Sequence, residues 1–314
     1  MADDVKTGER VQRVVVTGGA GFIGTYVACK LREHGIETIA LDRSGEGADL
    51  LRADIRDRDT MRRILQPADA VIHLAVTSNP TTSELDRIRD IEENLVGTLE
   101  LLDACVDRGV GRFVLSSSGG TVYGIPQTTP IPETHATNPI SSHGAMKLAI
   151  EKYVQVYGAQ FGLSHVILRC ANAYGPGQTG ALGQGIIGRA ILTGLRDETL
   201  EIWGDGTAVR DFACVEDVAE AFLLATTTVT AEGVVNIGSG KGTSVNEIIE
   251  LLNRTTGRPL RVRYTAPRYL DVPASVLDIT KASTVLNWRP VTALEDGIER
   301  CYAWARSHIH QQAT

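Results

Sequence analysis

Cysteine is scarce in this sequence, with five residues among 314, at Cys29, Cys105, Cys170, Cys214 and Cys301. The number is odd, the spacings are wide and no CxxC pair occurs. That excludes a disulfide framework and a thiolate metal site, and it implies reduced thiols in a cytoplasmic protein. Long apolar runs are missing too. No segment has the consecutive apolar residues that a bilayer crossing needs, and the polar first ten residues lack the apolar centre of a signal peptide. Those ten are expected to form a frayed tail, as are the residues from Ser307 onward. His308 and His310 lie in that second tail and are read as solvated, so no metal is expected. Positive charge is in deficit, 31 Lys and Arg against 38 Asp and Glu, for a formal net charge of -7. Such a surface repels nucleic-acid phosphates and anionic lipid, so neither nucleic acid nor membrane is an expected partner.

What is present is ordinary for a soluble globular chain, 43% hydrophobic and 22% charged residues, long enough for one large domain or two modest ones. Short, nearly continuous apolar runs recur at Val14–Val16, Thr38–Leu41, Ala70–Leu74, Phe113–Leu115 and Val166–Leu168. Strands buried on both faces read this way. Between them lie helical patterns. Ile23, Val27 and Leu31 recur at four-residue spacing before Gly35, Leu95 to Val106 carries another apolar stripe, and Ala145 to Phe161 reads as a third helix. The alternation predicts an α/β fold, a Rossmann-type doubly wound parallel sheet. After about Pro176 the rhythm loosens. The expected division is a dinucleotide-binding domain over 11–176, rejoined by about 209–238, and a smaller C-terminal α/β lobe over 177–208 and 239–306.

The first strand runs into Thr17-Gly18-Gly19-Ala20-Gly21-Phe22-Ile23-Gly24. In such a turn the glycines permit a tight bend, a close backbone approach to a pyrophosphate, and close contact of helix with strand. The following helix N-terminus offers free N–H groups and a favourable dipole to the phosphates. Asp42, at the end of the second strand, can accept both ribose hydroxyls and would repel a 2′-phosphate, which favours NAD over NADP. Asp54-Ile55 follows a third short element and either flanks the adenine or forms a surface turn.

The spelling of that turn resembles the extended short-chain dehydrogenase/reductase family, in particular its nucleotide-sugar epimerases and dehydratases. An ordered series of later motifs carries the same resemblance: His73-Leu74-Ala75, Asn94 with Gly97-Thr98, Ser116 to Gly124 ending in Thr-Val-Tyr-Gly, and Leu168 to Pro176. Trp203-Gly204-Asp205-Gly206, Arg210-Asp211-Phe212, Asn236 to Gly240 and Asn287-Trp288-Arg289-Pro290 follow. The likeness spans about Val11 to Trp304 and is greatest to the UDP-glucose 4-epimerase branch. It implies that Leu74 and Ala75 line the cofactor groove and that Asn94 sits beside the nicotinamide half. Asn172 would touch the nucleotide-sugar, and Arg210 and Arg268 its diphosphate, with surface ion pairs to Asp211 and Asp271 as the alternative. Trp203 would border the nucleotide or serve as core. The resemblance also implies a homodimer through the helices around Leu95–Val106 and Ala145–Phe161.

Family members carry Tyr-x-x-x-Lys on a helix, where residues four apart share a face. Here the window is His143-Gly144-Ala145-Met146-Lys147. The lysine is Lys147, but histidine holds the tyrosine position. In one reading His143 is itself the acid/base, since imidazole with an ordinary pKa of ~6.5 suits proton transfer near neutral pH. In a second, the proton acceptor is Tyr123, His135 or Tyr174. In a third, redox chemistry is impaired and the protein only binds its ligands. The family's Ser or Thr that bonds the reacting hydroxyl falls to Ser118 or Thr121, because counting back from Tyr123 puts Gly119 in the usual slot. The Gly119-Gly120 pair also lacks the acids that a dehydratase carries there. The expected activity is inversion at C4 of a UDP-hexose through a transient 4-keto sugar on NAD, with NDP-sugar ketoreduction as the alternative.

Overall fold

The computed structural model describes residues 11–45, 47, 49–178, 185–269 and 271–309. The tail expected over residues 1–10 and His310 lie outside them. The first half alternates strand and helix in the order β1 (Arg13–Thr17), α1 (Phe22–Glu33), β2 (Glu37–Asp42), β3 (Leu50–Arg52), α2 (Arg58–Ile64) and β4 (Ala70–His73). Then come α3 (Pro80–Leu85), α4 (Arg87–Asp90), a π-helical turn over Ile91–Val96, α5 (Gly97–Arg108), β5 (Arg112–Ser118), α6 (Ser142–Phe161) and β6 (His165–Cys170). The second half runs β7 (Asn172–Tyr174), α7 (Ile186–Leu195), β8 (Thr199–Trp203), β9 (Val209–Cys214), α8 (Val215–Thr227) and β10 (Gly233–Ile237). It closes with β11 (Gly242–Ser244), α9 (Val245–Thr256), β12 (Arg261–Thr265), β13 (Ala274–Ser275), α10 (Thr280–Val285) and α11 (Leu294–Ile309).

The main sheet has seven parallel strands in the order β3-β2-β1-β4-β5-β6-β10. Its strand order reverses between β1 and β4. In an open parallel sheet, ligands bind outside the carboxyl ends of the strands at that reversal. All five apolar runs read from the sequence lie in this sheet. Val14, Val15 and Val16 are fully buried. One face is covered by Val27 and Leu31 of α1 and Val218 and Phe222 of α8, with Trp288 beside them. The other is covered by Met61, Leu101, Leu102, Met146 and Ile150. Each such side chain contributes about 1.5–3 kcal/mol by leaving water, so the sheet is a rigid platform for its loops.

A separate core cluster of Ile191, Leu200, Ile202, Leu252 and Ile298 is drawn from α7, β8, α9 and α11, the elements of the expected second lobe. Within 209–238 the two strands join different sheets. β9 pairs with β7, β11 and β13, whereas β10 closes the main sheet and α8 covers it. The C-terminal helix continues through Ser307 instead of fraying there, because the His308 ring stacks on Trp304 with centroids 4.6 Å apart. No helix among the described residues is long and apolar enough to cross a membrane.

Candidate active site

At the end of β1 the chain reverses within four residues. Gly18 has φ +72°, and a Cβ on it would stand 2.7 Å from the Ala75 amide nitrogen. A Cβ on Gly24 would lie 2.0 Å from the Gly18 carbonyl oxygen. Neither position accepts a side chain without moving backbone. Gly21 is the N-cap of α1 and supplies no side-chain cap, so the amide groups at Phe22, Ile23 and Gly24 open the helix uncapped. Such a terminus suits a pyrophosphate. Asp42 stands beside it, with one carboxylate oxygen accepting Ala20 N–H at 3.2 Å and the other Ser44 N–H at 3.1 Å. It is thereby held as a fixed acceptor at the turn, as a ribose requires.

Leu74 and Ala75, both half-buried, line the loop that Gly18 approaches. Just before them His73 is buried, its Nδ1 2.7 Å from Thr17 Oγ1 and its Nε2 2.9 Å from Thr98 Oγ1. Burial, and then the charge of Lys147, push its pKa down to about 3. It is a neutral brace between β1, β4 and α5. Asn94 is buried in the π-helical turn. Its Oδ1 accepts Thr77 N–H at 2.9 Å and its Nδ2 donates to Asp90 Oδ1 at 2.8 Å. Its amide therefore fixes the 74–79 loop. Asp54 is paired with Arg56 at 2.7 Å, which holds its carboxyl below the usual range, and Ile55 lies against Gly97.

The helix that bears His143 and Lys147 starts at Ser142, three residues earlier than its apolar pattern indicated, because Ser141 Oγ caps it by accepting Gly144 N–H at 3.2 Å. His143 and Lys147, one turn apart, are both 7% exposed. Lys147 Nζ donates to the Ser116 carbonyl at 3.0 Å, tying α6 to the end of β5. Burial lowers its pKa to about 8, against the opposing pull of Cys170, Glu151 and Asp90. Burial, and then Lys147, push His143 down to about 4, with Asp90 opposing. At neutral pH the pair is thus a neutral imidazole beside an ammonium.

The loop after β5 meets this helix closely. A Cβ on Gly144 would stand 2.7 Å from the Thr121 carbonyl oxygen. Thr121 Oγ1 is buried with no hydrogen-bond partner among the described residues, a condition rare enough in native structures to call for a function or a bound group. Ser118, the last residue of β5, is half-buried just before that loop. At Gly119 a Cβ would meet Leu277 at 2.6 Å, whereas beside Gly120 the space is open. Of the other candidate proton acceptors, Tyr123 and His135 are committed elsewhere, whereas the buried Tyr174 hydroxyl has no partner among the described residues. Tyr123 donates to Asn236 Oδ1 at 2.7 Å and lies under the Arg169 guanidinium. Both nitrogens of His135 are used, one accepting Gln127 N–H at 3.0 Å and the other 2.7 Å from the Ala136 carbonyl oxygen. Tyr174 lies in the separate core cluster with Ile191 and Ile298, where burial raises its phenol pKa far above the ordinary value.

Beyond the end of β6, Asn172 is exposed on β7 and donates to the Asp211 carbonyl at 3.1 Å. Arg210 and Asp211 do not pair. Successive residues of a strand face opposite ways, and the Asp211 carboxylate instead accepts the N–H groups of Ser239, Gly240 and Leu277 at 2.7, 3.1 and 3.2 Å. Arg268 does pair with Asp271, by two bonds of 2.9 and 2.8 Å. Its guanidinium also lies 3.8 Å from the centroid of the half-exposed Trp203 ring, and Arg210 stands 3.8 Å from the same Asp271. Arg189 approaches Trp203 at 5.2 Å and has a buried Nε without a partner among the described residues. Arg210 and Arg268 thus share one carboxylate, and Arg189, which donates to the Glu201 carbonyl at 2.9 Å, lies over the same Trp203 ring as Arg268, an excess of positive charge on an acidic protein. Burial lowers the pKa of both Arg210 and Arg189, so an anion there would relieve a strained cluster. Arg189, Ser78 and Asp90 have no sequence pattern that marks them. The two halves of the site are joined where Arg268 Nη1 donates to Thr81 Oγ1 at 3.1 Å.

Residues 14–238 match the model of the NAD dependent epimerase/dehydratase family. The UDP-glucose 4-epimerase of Halalkalibacterium halodurans is 34% identical over 328 residues, covering 96% of this chain and 98% of that protein. The crystal structure of the Thermotoga maritima UDP-glucose 4-epimerase with UDP-glucose superposes with a TM-score of 0.89 at 37% identity, covering 95% of this chain and 99% of the other. The Thermus thermophilus UDP-glucose 4-epimerase in complex with NAD gives 0.87 at 35% identity, covering 94% and 99%.

Proposed function

The chain belongs to the NAD dependent epimerase/dehydratase family, and from that premise we propose that it is an NAD-dependent nucleotide-sugar epimerase inverting C4 of a UDP-hexose. One observation carries the reading. Arg189 and Arg268 lie over Trp203, Arg210 stands by the Asp271 that Arg268 pairs with, and Arg268 donates to Thr81 of α3, just beyond the loop whose Ser78 abuts His143. A diphosphate held by Arg189, Arg210 and Arg268, with Asn172 alongside, would extend its sugar toward the imidazole.

Bound NAD supplies a reversible hydride acceptor for the sugar carbon. Gly18, Gly21, Phe22, Ile23 and Gly24 would hold its pyrophosphate, Asp42 its adenosine ribose, and Leu74, Ala75, Asn94, Asp54 and Ile55 would line its groove. Lys147, anchored on Ser116, would hold the nicotinamide ribose. His143 takes the proton of the sugar hydroxyl while the carbon loses its hydride, leaving a ketone, and returns the proton after the keto sugar has turned its other face. Thr121 Oγ1 would bond the reacting hydroxyl, with Ser118 beside it. Purified protein incubated with UDP-glucose, followed by NMR, is expected to yield the C4 epimer without added NADH. Turnover only with stoichiometric NADH would replace epimerisation by ketoreduction, and binding without exchange would reduce the protein to a ligand carrier.

We also infer a homodimer. Ile88, Ile91 and Val96 are exposed beside Tyr153 and Val156 of α6, an apolar face across adjacent helices of the kind that a four-helix bundle buries. Sedimentation at micromolar concentration is expected to give twice the chain mass, and Val156→Glu to give the single chain. The free thiols, four of them buried, suit a cytoplasmic enzyme.

A further inference from the structure

Asp90, the last residue of α4, is 4% exposed. Among the described residues no lysine or arginine lies within 4 Å of it in an ion pair. Its carboxylate accepts instead from Ser78 Oγ, from Ser83 Oγ at 2.6 Å and from Asn94 Nδ2 at 2.8 Å. Ser78 Oγ also lies 3.4 Å from His143 Nδ1, a long contact of the sort that tightens once a ligand closes the site. Burying a carboxylate without a cation is costly. The positive charges that face Asp90 are those of α6, Lys147 and the imidazole when it is protonated.

The proton count of this chain is fixed by elementary inventory. A carboxylate only accepts, and a serine hydroxyl has one proton to give. Ser78 gives that proton to Asp90, so it turns a lone pair toward His143. Nδ1 must then be the N–H of the neutral ring, and Nε2 must be the bare nitrogen. Reversing any one link would leave two hydrogens or two lone pairs face to face.

We propose that Asp90 and Ser78 are positioning residues for His143, a relay that holds its imidazole in the Nδ1–H form so that Nε2 meets the sugar hydroxyl. The relay rests on His143 being the base of the proposed epimerase. In the forward step the hydroxyl proton passes to Nε2, and the carbon's hydride goes to bound NAD. The new imidazolium keeps its Nδ1–H on Ser78, and the Asp90 charge two bonds away stabilises it. On the return the same proton leaves Nε2, so no proton passes along the relay itself. The relay orients and stabilises, as the buried carboxylate does in serine hydrolases.

The test is nitrogen NMR of the NAD-loaded protein with 15N-labelled histidine at pH 7. The His143 signals are assigned by their loss in His143→Phe, and kcat and KM for UDP-glucose are measured in parallel. Wild type is expected to show the Nδ1–H form. Ser78→Ala is expected to lose that preference and about 10- to 100-fold in kcat with KM unchanged, and Ser78→Thr to restore both. An Nε2–H ring in wild type would overturn the relay, as would Ser78→Ala that keeps both tautomer and kcat. Failure of the epimerase reading shows separately, as no C4 exchange by wild type whatever the tautomer.

Discussion

His143→Phe is expected to lower kcat for a UDP-hexose by about 10²- to 10⁴-fold, the usual worth of a positioned general base, while NAD and UDP still bind. Phenylalanine fills the space of the buried ring, and neither the glycine turn nor the arginine cluster touches it. The effect should therefore fall on kcat and spare KM. The pH profile identifies the group further. A base must be the neutral imidazole, and the His143 pKa in the fold is pushed down to about 4. Base activity is therefore present above that value and lost as pH falls through it. In the proposed role Lys147 acts as the charged ammonium, with its pKa lowered to about 8, so its contribution would be present below that value and lost above. The wild-type kcat/KM is expected to be level between roughly pH 5 and 8 and to fall on both sides. Full activity in His143→Phe would remove the imidazole from the mechanism.

The same depressed pKa carries a stability cost of known sign. His143 and His73 are both neutral in the fold, at about 4 and about 3, whereas an unfolded histidine titrates near ~6.5. Below that pH the unfolded chain binds more protons than the folded one. Stability rises with pH across that window and is lost toward acid. The acid limb must accordingly be measured where unfolding is excluded, and His143→Phe should shift the acid unfolding midpoint downward.

The parts of this site that were legible in the sequence are those set by local geometry. A strand, a glycine turn and a helix follow one another within α1 and β1, so their ligand could be read before any contact was known. His143 and Lys147 are one turn apart, and helix periodicity alone places them on one face. Legibility failed where partners come from distant chain positions. Asp90 reaches His143 only through Ser78, because the π-helical turn and the 74–79 loop bring α4 against α6. Arg189 joins Arg268 only through a tryptophan ring on another strand. Short edge elements such as β3, and the half-exposed alternation of β8, carry no apolar run to announce them. Motif spelling also failed to separate chemistry from packing. Trp288 is a core residue whose Nε1 donates to the Asp217 carbonyl at 2.9 Å, and Asn236 ties Tyr123 to the backbone at Ile131. The Arg210-Asp211 ion pair, by contrast, could have been dismissed from sequence, because strand neighbours point apart.

Arg210→Leu is expected to weaken UDP binding to the NAD-loaded protein by about 10- to 150-fold, since a hydrogen bond from a charged group is worth about 1.5–3 kcal/mol. The loss should appear in KM and in the calorimetric Kd, and it should shrink as salt rises only to the extent that the site is open to solvent. Arg268→Leu is expected to cost less. That guanidinium already has Asp271 at 2.8 Å, so a diphosphate must compete for it, and the exchange returns part of what binding gains. The carboxylate therefore sets the sign of a third variant. Asp271→Asn removes the competing charge and leaves the arginines mutually repelled, so it is expected to tighten UDP several-fold, the opposite of an ordinary loss of packing. If Asp271→Asn weakened UDP as much as Arg268→Leu does, the pair would be acting as one scaffold, and the phosphate role would fall to Arg189 and Arg210 alone. If Arg210→Leu left the UDP affinity unchanged, the diphosphate would lie elsewhere and the orientation of the sugar toward His143 would lose its anchor.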